Sequence, residues 1–185
     1  TLVVQNGNLT VNNAALIVNA PNLTFNASGS QTFNGAAPDT SVENLGTVTI
    51  TGGGTVALGT NLNNVQAQRI LISGGTLLNS TSDQIENFTP MTLANGTWNT
   101  GGHSEVLGTL TLSADSTINL GSGASVINFA NSAGESWTAD QTLLVTNWSG
   151  NTSGGGTDQL IFGNSASALT SSQLGQISFV NPAGF

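Results

Sequence analysis

Gly46-Thr47-Val48-Thr49-Ile50-Thr51-Gly52-Gly53-Gly54-Thr55-Val56-Ala57-Leu58-Gly59 reads as strand, turn, strand, and it decides the fold. Alternation sends Val48 and Ile50 to one face and Thr47, Thr49 and Thr51 to the other, the period of a half-buried strand. The glycines supply the backbone conformations of a tight corner, after which Val56 and Leu58 repeat the pattern.

Upstream the same rhythm has a seven-residue beat: Leu2-Val3-Val4, Leu9-Thr10-Val11, Leu16-Ile17-Val18 and Leu23-Thr24-Phe25, separated by Asn, Gly, Ala or Pro. The outer members of each triplet, such as Leu9/Val11, Leu16/Val18 and Leu23/Phe25, can all point inward, so successive triplets read as the sides of a coil. Downstream the pattern continues through Ile70/Ile72, Leu77, Met91/Leu93, Leu107, Leu110/Leu112, Ile118/Leu120 and Val126/Ile127/Phe129. Helical periodicity is nearly absent, which makes the chain all-β. Strands of a sandwich or barrel run longer and are joined by Asn-Gly or Asp-Gly hairpins. Short strands at quasi-regular spacing favour instead a β-solenoid, a parallel β-helix with rungs of about 20 residues and a rod near 40 Å long.

The last third differs. Trp98, Trp137 and Trp148 lie there, and Gln141 to Trp148 is the longest strand candidate, followed by a Gly-rich loop from Ser149 to Gly156 and a strand from Gln159 to Phe162. Thr170-Ser171-Ser172-Gln173 has capping-box spacing and predicts one short helix near 171–176; Ile177 to Val180 then reads as a closing strand stopped by Pro182. Residues 1–130 are read as solenoid rungs and 131–185 as a C-terminal cap or edge of the same domain.

Composition narrows the function. Gly, Asn, Thr and Ser make up half of the 185 residues, Arg69 is the only Lys or Arg, and nine acidic residues give a formal charge of −8. Nucleic acids and anionic membrane surfaces need clustered cations and are not expected partners. No apolar run of about 18 residues exists, so no membrane insertion is expected. Without Cys there are neither disulfides nor thiolate metal sites, which suits life outside the cell. Regularly spaced Val, Ile and Leu with few charges argue against disorder. No signal peptide is legible at Thr1, and the expectation is that processing set the ends. The eight Asn-x-Ser/Thr matches are what this composition yields by chance, so glycosylation is not expected.

The stretch from Gly46 to Ser80, with Gly46-Thr47-Val48-Thr49-Ile50-Thr51 and Ile70-Leu71-Ile72-Ser73-Gly74-Gly75-Thr76-Leu77-Leu78, resembles the autotransporter-associated β-strand repeat. The tail, with Gly96-Thr97-Trp98-Asn99, Leu110-Thr111-Leu112, Gly156-Thr157-Asp158-Gln159-Leu160 and Gln176-Ile177-Ser178-Phe179-Val180, is similar to the region that follows such repeats. The resemblance implies a right-handed parallel β-helix exported to a bacterial surface or beyond. It implies no catalytic residues. One repeat matches, and no translocator barrel or sorting tail follows up to Phe185.

Candidate chemistry is sparse. His103-Ser104-Glu105 with Asp115 holds the residue types of a nucleophilic triad, but adjacency in sequence is not triad geometry and no Gly-x-Ser-x-Gly elbow is present, so a polar turn is the expectation. Solenoid lyases need a base with cations, and hydrolases need two facing carboxylates; Asp83 with Glu86 and Asp39 with Glu43 read instead as solvated loop residues. Ser153-Gly154-Gly155-Gly156-Thr157-Asp158-Gln159-Leu160 approaches the calcium nonapeptide, but such sites are shared between adjacent repeats and one copy is present; a flexible loop is expected. No enzyme activity, metal or cofactor is expected. Outward Thr rows at Thr47/Thr49/Thr51 and Thr109/Thr111 could meet a glycan or ice, and the Trp residues could stack on sugars or close the core.

The resulting expectation is an extracellular structural solenoid. A terminal rung exposes an unpaired edge, and Thr1, Leu2, Val3 and Val4 begin directly in a strand with no charged gatekeeper. With Ile177, Phe179 and Val180 in the closing strand, they are the expected residues of head-to-tail self-association into a fibre, matrix or surface filament. The alternative is an adhesin or passenger segment that binds glycan, or ice, through a Thr/Asn-rich face.

Overall fold

The computed structural model describes residues 1–5, 7–12, 15–17, 22–26, 28–151 and 155–180. The inward position Val18, the side chain of Leu16, the loop residues Ser153 and Gly154 and the strand stop Pro182 lie outside the described residues.

The seven-residue beat is one turn of a coil. Strands β1 (Leu2–Val4), β2 (Leu9–Val11) and β3 (Ala15–Ile17) are its three sides, and β4 (Leu23–Asn26) returns to lie parallel on β1 with Leu2 beside Leu23 and Val4 beside Phe25. Next come β5 (Ser30–Gly35), β6 (Thr40–Thr51), β7 (Thr55–Leu58), β8 (Leu62–Ile72), β9 (Thr76–Leu78) and β10 (Met91–Ala94). The coil proceeds through β11 (Thr97–Asn99), β12 (Glu105–Leu107), β13 (Leu110–Ala114), β14 (Ser116–Asn119) and β15 (Val126–Phe129). It ends with β16 (Leu143–Thr146), β17 (Gln159–Phe162), α1 (Ser171–Gly175) and β18 (Ile177–Val180).

The strands stack into a seven-stranded sheet in the order β1-β4-β6-β8-β10-β13, with β3 also on β6, an eight-stranded sheet β18-β16-β14-β11-β9-β7-β5-β2, and a three-stranded sheet β12-β15-β17. Every pairing between named strands is parallel, so the molecule is a parallel β-helix, as the short strands at quasi-regular spacing predict. From the segment 131–185, β16 and β18 continue the eight-stranded sheet and β17 continues the three-stranded one. The capping box forms at Thr170, whose hydroxyl accepts from Gln173 N while its own N–H donates to Gln173 Oε1.

Register turns alternation into columns. Leu23, Val48, Ile70, Met91 and Leu110 lie side by side, as do Phe25, Ile50, Ile72, Leu93 and Leu112, and all are buried. On the opposite wall Val56, Leu77, Trp98, Ile118 and Val145 form the matching column. Each such side chain contributes about 1.5–3 kcal/mol of hydrophobic stabilisation, set against the entropy of ordering the rung. Val126, grouped with the inward residues by its run of apolar neighbours, is instead 36% exposed, because burial of Ile127 and Phe129 forces it to the other face.

The abundant Asn and Ser residues have a structural use at the corners. Asn8 Oδ1 accepts from Thr32 N at 2.8 Å, Asn22 Oδ1 from Thr47 N at 2.9 Å, Asn34 Oδ1 from Asn61 N at 3.2 Å and Ser116 Oγ from Asn95 N at 3.0 Å. Of these N–H groups, those of Thr32 and Thr47 lie within β5 and β6 and those of Asn61 and Asn95 at corners, and each is satisfied by a side chain of the adjacent rung.

Three strand lengths differ from expectation. Gln141 to Trp148 yields only β16, whereas β6 and β8 run 12 and 11 residues. The long strands bend around a corner: the start of β6 lies on β3 and its end on β4, with the register shifting between Val42 and Leu45 beside left-handed Asn44, φ 57°.

Candidate functional site

Exposed apolar residues occur at both ends of the rod, besides Phe88 and Val126 along its length and Leu174 on α1. Leu2 and Val3 are 52% and 48% exposed, Phe179 and Val180 38% and 37%. Thr1 is exposed, while Val4 and Ile177 are half-buried against the core. The structure places these residues on two different sheets. β1 ends the seven-stranded sheet, whose opposite edge is β13; β18 ends the eight-stranded sheet, whose opposite edge is β2. The β2 edge, Leu9 to Val11, is missing from the expected set, although its Leu-Thr-Val alternation carries the same signal.

A second feature lies on the lateral face. Thr55, Thr76, Thr97 and Thr117 stand in register on four consecutive strands of the eight-stranded sheet, at a spacing of about 4.8 Å per strand. Beside them runs a groove of about 460 Å³, lined by Gly53, Gly75 and Gly96 on one flank and by Asp115, Thr142 and Leu144 towards its end. The rows expected at Thr47/Thr49/Thr51 and Thr109/Thr111 are less regular: Thr49 stands beside Leu71, which separates it from Thr92 and Thr111. The signal for the better column was the recurrence of a small residue before Thr, in Gly54-Thr55, Gly75-Thr76, Gly96-Thr97 and Ser116-Thr117.

The candidate triad is dispersed. Glu105 is buried, and its Oε1 accepts from Gln84 N at 2.8 Å and from the Asn79 side chain, while Oε2 has no partner. Burial, reinforced by the nearby Asp83 carboxylate and only partly opposed by these donors, pushes Glu105 up to about 8. Ser104 Oγ accepts from Val126 N at 3.0 Å, and Asp115 Oδ1 serves a separate corner by accepting from Thr142 N at 2.7 Å. Glu86, of the pair Asp83/Glu86, accepts from Asn64 Nδ2, and Asp39 is exposed.

Asp158, the acidic residue of the calcium-like stretch, is also committed. It is buried, and its carboxylate accepts from Ser125 N at 2.8 Å, Ser149 N at 2.7 Å and Ser149 Oγ at 2.6 Å. Its oxygens hold two rungs together. Among the described residues no group of three or more His, Cys, Asp or Glu side chains is placed to hold a metal ion.

The tryptophans divide by role. Trp98 is buried, donates to Asn79 Oδ1 at 2.9 Å and meets Phe129 edge-on at 5.9 Å. Trp137 Nε1 donates to Leu110 O at 2.8 Å, and Trp148 Nε1 donates to Asp158 O at 2.9 Å while its ring lies 5.1 Å from that of Phe179. No family model, no curated protein and no solved structure matches the chain.

Proposed function

We propose that this chain is a structural β-solenoid subunit of an extracellular or surface-exported bacterial fibre, matrix or filament, joined head to tail to copies of itself. The observation that carries this reading is the eight-stranded sheet: it ends at β2 and at β18 without a further strand among the described residues, and neither strand holds a charged side chain. An uncharged parallel edge is a template for another strand. When the two edges of one sheet lie at opposite ends, a copy placed on one leaves the other open, and the heterologous contact extends into a filament. The absence of Cys and the resemblance of Gly46 to Ser80 to an exported repeat support the location. The reading includes no catalytic step: Glu105 is buried away from the surface, and the carboxylate of Asp158 is engaged by the N–H groups of Ser125 and Ser149. Light scattering across a wide concentration range tests it: mass that grows with concentration is expected, and monomers throughout would overturn it.

The lateral column of Thr55, Thr76, Thr97 and Thr117 favours a second reading, an adhesin or passenger segment that lays an extended glycan along the groove. Retention on a polysaccharide column, lost on Thr76→Val with Thr97→Val, is its expected result; passage in the void volume would remove it.

A further inference from the structure

The seven- and eight-stranded sheets finish differently at the C-terminal end of the rod. At β13, the last strand of the seven-stranded sheet, Leu110 N donates to Ser132 Oγ at 3.0 Å, Trp137 Nε1 donates to Leu110 O at 2.8 Å and Thr138 N donates to Leu112 O at 2.8 Å. The Glu135 carboxylate stands at the same edge, where its Oε2 accepts from Thr111 Oγ1 at 3.1 Å. Groups that an incoming strand would need are therefore already bonded, and a charge guards the edge. The sealing segment is braced from α1 and its C-cap: Gln173 Nε2 donates to Ser132 O at 2.9 Å and to Glu135 O at 3.0 Å, and Gln176 Nε2 donates to Thr138 O at 2.7 Å.

No comparable cover lies on β18 among the described residues. Its edge is uncharged, Phe179 and Val180 are exposed, and Phe179 stands beside Val145 at the end of the core column. The opposite end of this sheet, β2, has the matching alternation: Val11 is buried and Thr10 exposed, as Ile177 is half-buried and Ser178 exposed. We infer that the junction between copies runs through the eight-stranded sheet, with β2 of one copy beside β18 of the next, and that the seven-stranded sheet stops at β13. This rests on the head-to-tail reading above and specifies which of the rod's edges carries it.

The chain has no cysteine, so an engineered disulfide reports only the chosen pair. A disulfide forms only when the Cα atoms come within about 7 Å. The double variant Thr10→Cys with Ser178→Cys changes two exposed residues at the inferred junction, and Val3→Cys with Thr111→Cys changes the residues at one register position on the two end strands of the seven-stranded sheet. Under mild oxidation the first pair is expected to give a ladder of covalent multimers, and the second pair and each single variant none. A ladder from the second pair, or filaments by electron microscopy in which the first pair stays unlinked, would overturn the inference and leave self-association standing. Dimers from Ser178→Cys alone would show a two-fold contact and overturn it too. No ladder and no filaments would remove both the inference and the proposed function.

Discussion

Asn79 donates its side-chain N–H to Oε1 of Glu105, one turn further along the chain, in a corner from which both residues are shut off from water. The second carboxyl oxygen has no partner, and burial raises the pKa of the group from 4.5 to about 8. Because the folded chain holds this proton more tightly than the unfolded chain does, the contribution of Glu105 to stability is greatest below about pH 4.5, declines as pH rises and levels off above about pH 8. The full span is at most about 5 kcal/mol, since a tenfold change in proton affinity corresponds to about 1.4 kcal/mol. Denaturant midpoints at pH 5 and pH 9 check this: the native chain should unfold earlier at pH 9, and Glu105→Gln should lose most of the difference. Equal midpoints for the native chain would refute it.

Trp98 ties this corner to the core. Trp98→Phe keeps much of the contact with Phe129 but strands Asn79 Oδ1, which costs about 1–3 kcal/mol. Trp98→Ala adds a cavity and should cost about 3–5 kcal/mol. Chemical denaturation should rank the two in that order, and near-equal losses would mean that the indole N–H dominates.

Close stacking of rungs predicts opposite fates for two glycines. A Cβ on Gly108 would lie 2.3 Å from Phe88 O, so Gly108→Ala must displace backbone and should cost about 1–3 kcal/mol. A Cβ on Gly134 meets nothing within 4 Å, so Gly134→Ala should fall within about 0.5 kcal/mol of the native chain. Thermal melts of the pair are sufficient, and a shared shift would contradict the stacking described.

Asp158→Ala leaves the N–H groups of Ser125 and Ser149 without their acceptor and should destabilise the chain by about 2–4 kcal/mol. If this carboxylate serves the fold and not a metal, millimolar calcium and a chelator should leave the melting temperature of the native chain unchanged. A calcium-dependent rise abolished by Asp158→Asn would assign the loop to metal binding.

Much of the fold is legible in the sequence because burial in a solenoid repeats over very short distances. The Leu-Thr-Val and Leu-Thr-Phe triplets and the Thr170-x-x-Gln173 box each declare their element locally. Which triplets share a sheet is not legible, because rung length varies: Met91 lies beside Leu110, but Leu143 lies beside Ile177. That variation hides the placement of β1 and β18 on different sheets and the role of β2 as the edge opposite β18. Glu105 reads in sequence as part of a polar turn, although its parity with Leu107 places it inward. The Thr column emerges only once Gly54, Gly75 and Gly96 are seen to occupy equivalent corners.

Self-association through open sheet edges is the central claim, and electron microscopy of the purified native chain without added ligand tests it most directly. Eight strands stacked at about 4.8 Å make a rod of about 40 Å, so filaments with an axial repeat near that length are the predicted result. Isolated short rods at every concentration would contradict it.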